Sequence, residues 1–322
     1  MSKTKLLSIC IPTYNREPYL KQLLDSIVSQ KAFSETNDVE IVIDDGPSKD
    51  NTQQLVKDYQ NKYPGKIRYF RNDKAIGMCP AFLEAIEFSG GEYTWLFGSD
   101  DLMTSEALST TLNIIKKEKP GIILSDRYVF SSDLEKEKLN IFMNKKDIVL
   151  NGSNDFFSFL GKDNKENGSA NGVFFTFISI FCFKQNLYLR NKELFLNKYI
   201  QYKGLDNNYF NFAIIPFFDI IKEKIVIIKS KIMVLARGDN HGWSFSSMKI
   251  FNDLYFLVKV LRKQYKIPKK CNAFLNHMLI GWYLPSLMGL IKNNRFLGRL
   301  YFPLKKIYSL IGEPIHNILR KI

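Results

Sequence analysis

Ser8-Ile9-Cys10-Ile11-Pro12-Thr13-Tyr14-Asn15-Arg16 is the stretch on which the reading of the fold turns. Leu7–Ile11 is an unbroken apolar run of strand length, and it stops at a proline followed by polar and aromatic residues. Behind Pro18, a residue suited to the first helical turn, Leu20, Leu23, Leu24 and Ile27 recur at i, i+3, i+4 and i+7. That is the period of an amphipathic helix. A buried strand, a polar loop and a helix therefore open the chain.

The same unit recurs downstream. Val39–Ile43 reads as a second strand ending at Asp44-Asp45-Gly46, and Asn51 to Tyr63 as a helix with Leu55, Val56 and Tyr59 on one face. Ile67–Phe70 is a third strand, Pro80 opens a helix carrying Phe82, Leu83 and Ile86, and Tyr93–Phe97 is a fourth. Ser105 is placed to cap a helix running to about Lys117, and Ile122–Leu124 is a fifth strand. Short connections between alternating strands and helices imply an α/β fold with a mostly parallel sheet covered on both faces. Ligands of such sheets lie outside the carboxyl ends of the strands. Three polar clusters fall there: Thr13-Tyr14-Asn15-Arg16, Asp44-Asp45 and Ser99-Asp100-Asp101.

Beyond Ser125 the rhythm breaks. A polar stretch at Asp133–Lys146 fits a hairpin, Lys162–Gly172 is a Gly/Asn-rich loop, and Ile225–Leu235 reads as a strand pair followed by Arg237-Gly238-Asp239-Asn240-His241-Gly242-Trp243. After Phe251 the chain turns helical, aromatic and basic. The division expected is 1–125, 126–250 and a basic helical extension 251–322, for a binding half, an acceptor half and a surface-seeking tail.

With 322 residues, 45% of them hydrophobic, the chain buries a substantial core, which excludes a fibrous or disordered protein. Its net charge of +14 is uneven: residues 1–161 hold 20 Lys/Arg against 23 Asp/Glu, and residues 162–322 hold 26 against 9. From Lys259 onward 13 basic residues face one acid, Glu313, so the terminal segment favours an anionic surface, lipid or nucleic acid. Cys10, Cys79, Cys182 and Cys271 lack the close pairs of zinc sites or disulfide scaffolds and read as free thiols in a reducing compartment. Leu6–Ile11 is too short for a signal sequence, and Val173–Phe183 and Leu279–Ile291 are shorter than the ~20 residues of a membrane span. A cytoplasmic location is expected.

Each cluster admits two chemistries. Asp100-Asp101 can share a divalent cation with the phosphates of a nucleotide or cap a following helix. Asp44-Asp45 can accept hydrogen bonds from a base or ribose, or shape a turn. Tyr14 can stack on a nucleobase or pack. Their joint occurrence at three strand ends favours a nucleotide site.

Residues 7–117 resemble the donor domain of glycosyltransferase family 2. The first-strand pattern is the stretch quoted above. Asp44-Asp45-Gly46-Pro47-Ser48-Lys49-Asp50-Asn51-Thr52 resembles the Asp-Asp-Gly-Ser-x-Asp-x-Thr pattern, with one more residue between Gly46 and Asp50. Asn72 and Gly77 stand for the Asn-x-Gly loop, and Ser99-Asp100-Asp101 for the metal-binding Asp-x-Asp motif, with serine first. Trp95-Leu96-Phe97-Gly98-Ser99-Asp100-Asp101 is similar to the abequosyltransferase-like branch that builds O-antigen.

The resemblance implies a GT-A fold and a glycosyltransferase using a nucleotide-sugar donor (UDP, CDP or dTDP), Mg²⁺ or Mn²⁺, and an inverting displacement onto a lipid-linked oligosaccharide acceptor. Pro12, Tyr14 and Asp45 would line the base pocket. Asp100 would face the ribose or sugar-phosphate, and Asn15, Arg16, Asn72, Gly77 and Ser99 would complete the donor site. Asp101 would hold the metal. Arg237 and His241 would form a late basic loop for diphosphate or metal. The general base, a carboxylate from the second half, is expected at Asp206, ahead of Asp239 and Asp219; an N-cap is that residue's other reading.

The tail mixes Trp282, Tyr283, Phe296, Tyr301 and Phe302 with Lys292, Arg295, Arg299, Lys305 and Lys306, a composition suited to an interfacial helix pair on anionic lipid. No nucleic-acid recognition motif accompanies it, so nucleic acid is not an expected partner. A sugar nucleotidyltransferase would want a Gly-rich phosphate loop at the first strand, where this chain has Pro-Thr-Tyr-Asn; a catalytically inactive relative is the other alternative.

Overall fold

The computed structural model describes residues 5–130, 136–137, 146–162, 177–195 and 222–237. Compact packing divides the chain into two units. One comprises residues 1–152 with 176–241, the other residues 153–175 with 242–322. In the second unit the described residues are those of one helix, α6, part of Gly152–Lys162.

The first unit is built on one mixed sheet. Its strands are β1 (Lys5–Thr13), β2 (Val39–Asp45), β3 (Ile67–Arg71), β4 (Gly91–Leu96), β5 (Leu102–Met103), β6 (Ile122–Phe130), β7 (Lys136–Glu137), β8 (Ile148–Asn151), β9 (Phe181–Lys184) and β10 (Lys224–Arg237). Their order is β3-β2-β1-β4-β9-β6-β10-β5, with β7 on β6 and β8 on β10. Six strands, β3, β2, β1, β4, β6 and β10, run one way, while β9 is antiparallel to both its neighbours and β5 to β10. The carboxyl ends of the six therefore share one edge.

Helices α1 (Glu17–Val28), α2 (Lys31–Glu35), α3 (Thr52–Lys62), α4 (Met78–Phe88) and α5 (Ala107–Glu118) carry the first-half crossovers. The periodic residues of α1, Leu20, Leu23, Leu24 and Ile27, are buried as the spacing requires. They join Ile9, Ile11, Ile41, Ile43, Val56 and Trp95 in one core. Four aliphatic side chains at 3.6-residue spacing against alternate strand residues dry both elements at once, at roughly 25 cal/mol per Å² removed from water. Two short helices follow β9, α7 (Gln185–Leu189) and α8 (Lys192–Phe195).

Two expectations change. The helix α5 begins at Ala107 with Glu106 as its N-cap residue and no side-chain cap, because the turn bonds Ala107 N–H to the Thr104 carbonyl and leaves Ser105 outside. The expected strand pair at 225–235 is one 14-residue strand, β10. Its polar Lys229-Ser230-Lys231 is a bulge at a register shift. The Asp147 carboxylate accepts from the amides of Lys229 and Ser230 at 2.9 and 3.0 Å, so no turn is needed to satisfy them. The apolar run ending at Phe183 supplies β9, inserted between β4 and β6. Cys10 and Cys182 are buried free thiols, and burial pushes both well above the ordinary thiol range. Among the described residues no helix is long and apolar enough to cross a membrane.

Candidate active site

The loop after β1 is fastened to the loop after β2. Asn15 sits in the left-handed region at φ 52°, which asparagine tolerates better than most residues. Its amide donates to Ser48 Oγ at 2.8 Å, and its Oδ1 accepts from the Lys49 amide at 2.7 Å. Gly46 N–H donates to the Thr13 carbonyl at 2.9 Å. A Cβ on Gly46 would stand 2.9 Å from Tyr14 Cδ2, so the glycine is what lets the Tyr14 ring lie across the second loop. Tyr14 is 46% exposed, an aromatic able to stack on a flat ligand.

Beneath it, Asp45 is a buried hub. Its Oδ1 accepts from Ser48 Oγ at 2.5 Å, and its Oδ2 accepts from Tyr69 OH at 2.5 Å and from Arg71 Nη1 at 2.9 Å. Arg71 also donates through Nη2 to the Ser48 carbonyl at 2.8 Å. Asn72 joins the two acids, its amide bonding the Asp45 carbonyl at 2.9 Å and its Nδ2 donating to Asp44 Oδ1 at 3.0 Å. Pro12 lies opposite Asp44 in the β1–β2 register. Burial pushes the Asp44 carboxyl up to about 7, assisted by Glu84.

The third cluster follows β4. Arg16 Nη1 donates to Asp100 Oδ2 at 2.7 Å, tying the end of the first loop to the metal-motif position. Neither Asp100 nor Asp101 caps a helix: β5 intervenes before α5. Asp101 is buried, with Ser179 Oγ donating to its Oδ2 at 2.5 Å and the Arg237 amide donating to its Oδ1 at 3.2 Å. Burial first, and then the neighbouring Asp100 carboxylate, raise the Asp101 carboxyl well above the usual range, against the opposing pull of Ser179, the Arg237 amide and the Arg127 charge. A Cβ on Gly98 would stand 3.0 Å from Asp101 Oδ2 and 3.1 Å from Asp100 Oδ1; the glycine is what allows the two carboxylates to fold back over the strand end. Ser99 is buried beside them. Arg237 Nε donates to the Asp100 carbonyl at 3.3 Å, and its guanidinium lies 4.9 Å from the Tyr19 ring and 4.7 Å from the Phe130 ring. Arg127 stacks on Phe177 at 4.2 Å.

One edge of the sheet thus brings together Pro12, Tyr14, Asn15, Arg16, Asp45, Asn72, Ser99, Asp100, Asp101 and Arg237. Gly77, at φ 86°, is the N-cap residue of α4, five residues beyond Asn72. Asp206, Asp219, Asp239, His241 and the basic tail lie outside the described residues. The sequence reading passed over Ser179, Arg127, Tyr69 and Arg71. Arg71 carried a signal, since it ends β3 on the same edge; Ser179, on a turn entering an antiparallel strand, carried none.

Two adjacent carboxylates, one of them disfavoured as an anion by burial, fit a hard divalent cation that would supply positive charge. Asp101 offers one unoccupied lone pair on each oxygen after its two hydrogen bonds. Among the described residues no group of three or more His, Cys, Asp and Glu side chains is assembled for a metal, so a cation here would draw further ligands from a phosphate group and water. Arg16, Arg127 and Arg237 supply cationic charge on the same edge.

A mixed sheet with its acidic and aromatic loops gathered at the carboxyl edge defines this as a GT-A α/β fold. The chain belongs to glycosyl transferase family 2, whose model matches residues 8–188. It is 39% identical over 129 residues to the abequosyltransferase RfbV of Salmonella typhimurium, covering 40% of this chain and 38% of that protein. It is 28% identical over 184 residues to the GalNAc(5)-diNAcBac-PP-undecaprenol beta-1,3-glucosyltransferase of Campylobacter jejuni, covering 52% and 56%. The matched region thus spans about two fifths to a little over half of these relatives. The similarity to RfbV bears out the narrower resemblance carried by Trp95–Asp101. Among solved structures, S. aureus TarS 1-349 in complex with UDP superposes with a TM-score of 0.62 at 17% identity, over 85% of this chain and 70% of that one. The mannosyltransferase PcManGT of Pyrobaculum calidifontis, in complex with GDP-Man and Mn²⁺, gives 0.57 at 14% identity, over 99% and 87%. At those identities the likeness is one of fold.

Proposed function

We propose that this chain transfers a sugar from a pyrimidine nucleoside diphosphate donor to a hydroxyl of a lipid-linked surface glycan, by a single inverting displacement assisted by Mg²⁺ or Mn²⁺. The observation that carries the reading is the convergence on one sheet edge of an exposed aromatic, Tyr14, and the carboxylate pair Asp100-Asp101, braced by the Asp45 hub. Tyr14 stacks on the base, with Pro12 and Asp45 lining the same pocket and Asn15 and Asn72 holding the loops around it. Asp100 orients the ribose and sugar-phosphate and Asp101 holds the divalent cation, which as a Lewis acid supplies charge to the departing diphosphate. Arg16 and Arg237 balance phosphate charge, and His241 contacts the diphosphate or the metal. Asp206 takes the proton of the acceptor hydroxyl as the displacement proceeds.

Support for a lipid-linked acceptor comes from the relative named for a PP-undecaprenol substrate, and from the basic, aromatic tail, which we assign to the cytoplasmic face of an anionic membrane. In this reading residues 1–125 bind the donor, 126–250 the acceptor, and 251–322 the membrane surface. A thermal-shift panel of UDP, CDP, dTDP and GDP, each with and without Mn²⁺, tests the core of it, because a ligand that binds only the folded state raises its apparent stability. Metal-dependent stabilisation by one pyrimidine diphosphate, abolished in Asp101→Ala, is expected; no shift with any of the four would overturn the reading. Retention on anionic liposomes, weakened by salt, tests the tail.

A further inference from the structure

Ser179 belongs to no motif, yet it holds the most constrained position in the site. It is fully buried on the turn that leads into β9. Its hydroxyl accepts from the Gly98 amide at 2.9 Å and donates to Asp101 Oδ2 at 2.5 Å. Its backbone carbonyl accepts from Trp95 Nε1 at 2.8 Å. A hydroxyl has one proton, so acceptance from the Gly98 amide commits that proton to the carboxylate. The Trp95 indole, itself buried in the core, bonds the backbone of the turn and not the hydroxyl. Asp101 is then gripped at both oxygens, by Ser179 on Oδ2 and by the Arg237 amide at 3.2 Å on Oδ1. One rotamer satisfies both bonds.

We propose that Ser179 is a positioning residue, which presets the Asp101 carboxylate so that its remaining lone pairs face a divalent cation without reorganisation. The inference rests on the proposed role of Asp101. The physical ground is that a buried carboxylate with a free torsion must lose that freedom each time it binds a cation, whereas one locked by outer hydrogen bonds has lost it on folding. Gly98 is part of the device: its amide orients the hydroxyl, and a Cβ there would crowd the carboxylate at 3.0 Å from Oδ2.

The test is Mn²⁺ titration of the whole protein, followed by the Mn²⁺ electron paramagnetic signal, in the presence of the pyrimidine diphosphate that the thermal panel selects. Removing an outer-shell partner typically lowers metal affinity roughly 10–100-fold, and that loss is expected for Ser179→Ala with metal-free nucleotide affinity unchanged. Ser179→Thr, which restores the hydroxyl, should recover most of the affinity. Trp95→Phe removes the bond to the Ser179 carbonyl and loosens the core while leaving the hydroxyl; it should lower the melting temperature and keep Mn²⁺ affinity near that of wild type. Wild-type Mn²⁺ affinity in Ser179→Ala, alongside its loss in Asp101→Ala, overturns the positioning role and leaves the metal reading standing. An equal loss in Trp95→Phe and Ser179→Ala overturns it too, since general loosening then accounts for both. Undiminished affinity in Asp101→Ala removes the metal reading and this inference with it.

Discussion

Asp44→Asn should make the protein more stable at pH 8 and, by a smaller margin of about 1.6 kcal/mol, at pH 5. Asp44 is buried, its Oδ1 accepts from Asn72 at 3.0 Å, and its Oδ2 has no hydrogen-bond partner, as is true of Glu84 Oε2 nearby. Burial, reinforced by Glu84, raises the carboxyl from 3.8 to about 7. The folded chain therefore keeps this proton across a pH range in which the unfolded chain has released it. The stabilising contribution is complete below the unfolded value and is lost as pH rises through the folded one, at about 1.4 kcal/mol per pH unit, or at most about 4 kcal/mol in total. Asparagine cannot ionise, keeps the oxygen that Asn72 requires, and removes the repulsion that Glu84 exerts on the ionised group. At pH 8 the variant should gain about 2–4 kcal/mol, on the order of 5–10 °C in melting temperature. Paired thermal or urea melts of the two proteins at pH 5 and pH 8 read this directly, because every other titrating group cancels in the difference. A difference that does not change with pH, or an Asn variant less stable at pH 8, would refute the reasoning.

Three further outcomes follow from the site. Gly98→Ala puts a methyl 3.0 and 3.1 Å from the Asp101 and Asp100 carboxylate oxygens; displacing groups that must be held to about 0.5 Å should cut turnover by at least about tenfold, with the circular dichroism spectrum retained. Tyr14→Ala removes an exposed ring, so melting should be unchanged while nucleotide affinity falls by about 1–3 kcal/mol, as measured by calorimetry. Asp45→Ala strips the acceptor from Ser48, Tyr69 and Arg71 at once; breaking a buried pair costs about 3–5 kcal/mol, discounted toward about 2 because Arg71 is one-third exposed. Urea melts should show the loss, and an unchanged midpoint would mean that Asp45 does not brace the loops.

The first half of the fold was legible because its signals are local. Five apolar runs, each with a helical period beside it, are a βα alternation whatever lies elsewhere, and the strand-end rule then gathers Tyr14, Asp45 and Asp100-Asp101 on one edge before any coordinate is known. The second half is different in kind. β9 has no period-two pattern, since Phe181, Cys182 and Phe183 are buried between neighbours on both sides. A short run buried on both faces looks the same as a helix segment or a loop. β10 reads as two strands because its bulge is polar, and only the Asp147 side chain, 82 residues away, shows how those amides are satisfied.

What the sequence determined by itself was the class of architecture, the family and the residue types at three loops, all of which depend on spacing along the chain. The tertiary structure decided which atoms those residues offer. It turned Asp45 from a bare strand-end acid into a hub that accepts three hydrogen bonds, paired Arg16 with Asp100 across 84 positions, and brought Ser179 onto Asp101 across 78. Hydrogen bonds between residues so far apart leave no periodic trace, because the chain between them can vary freely so long as the sheet returns both to the same edge.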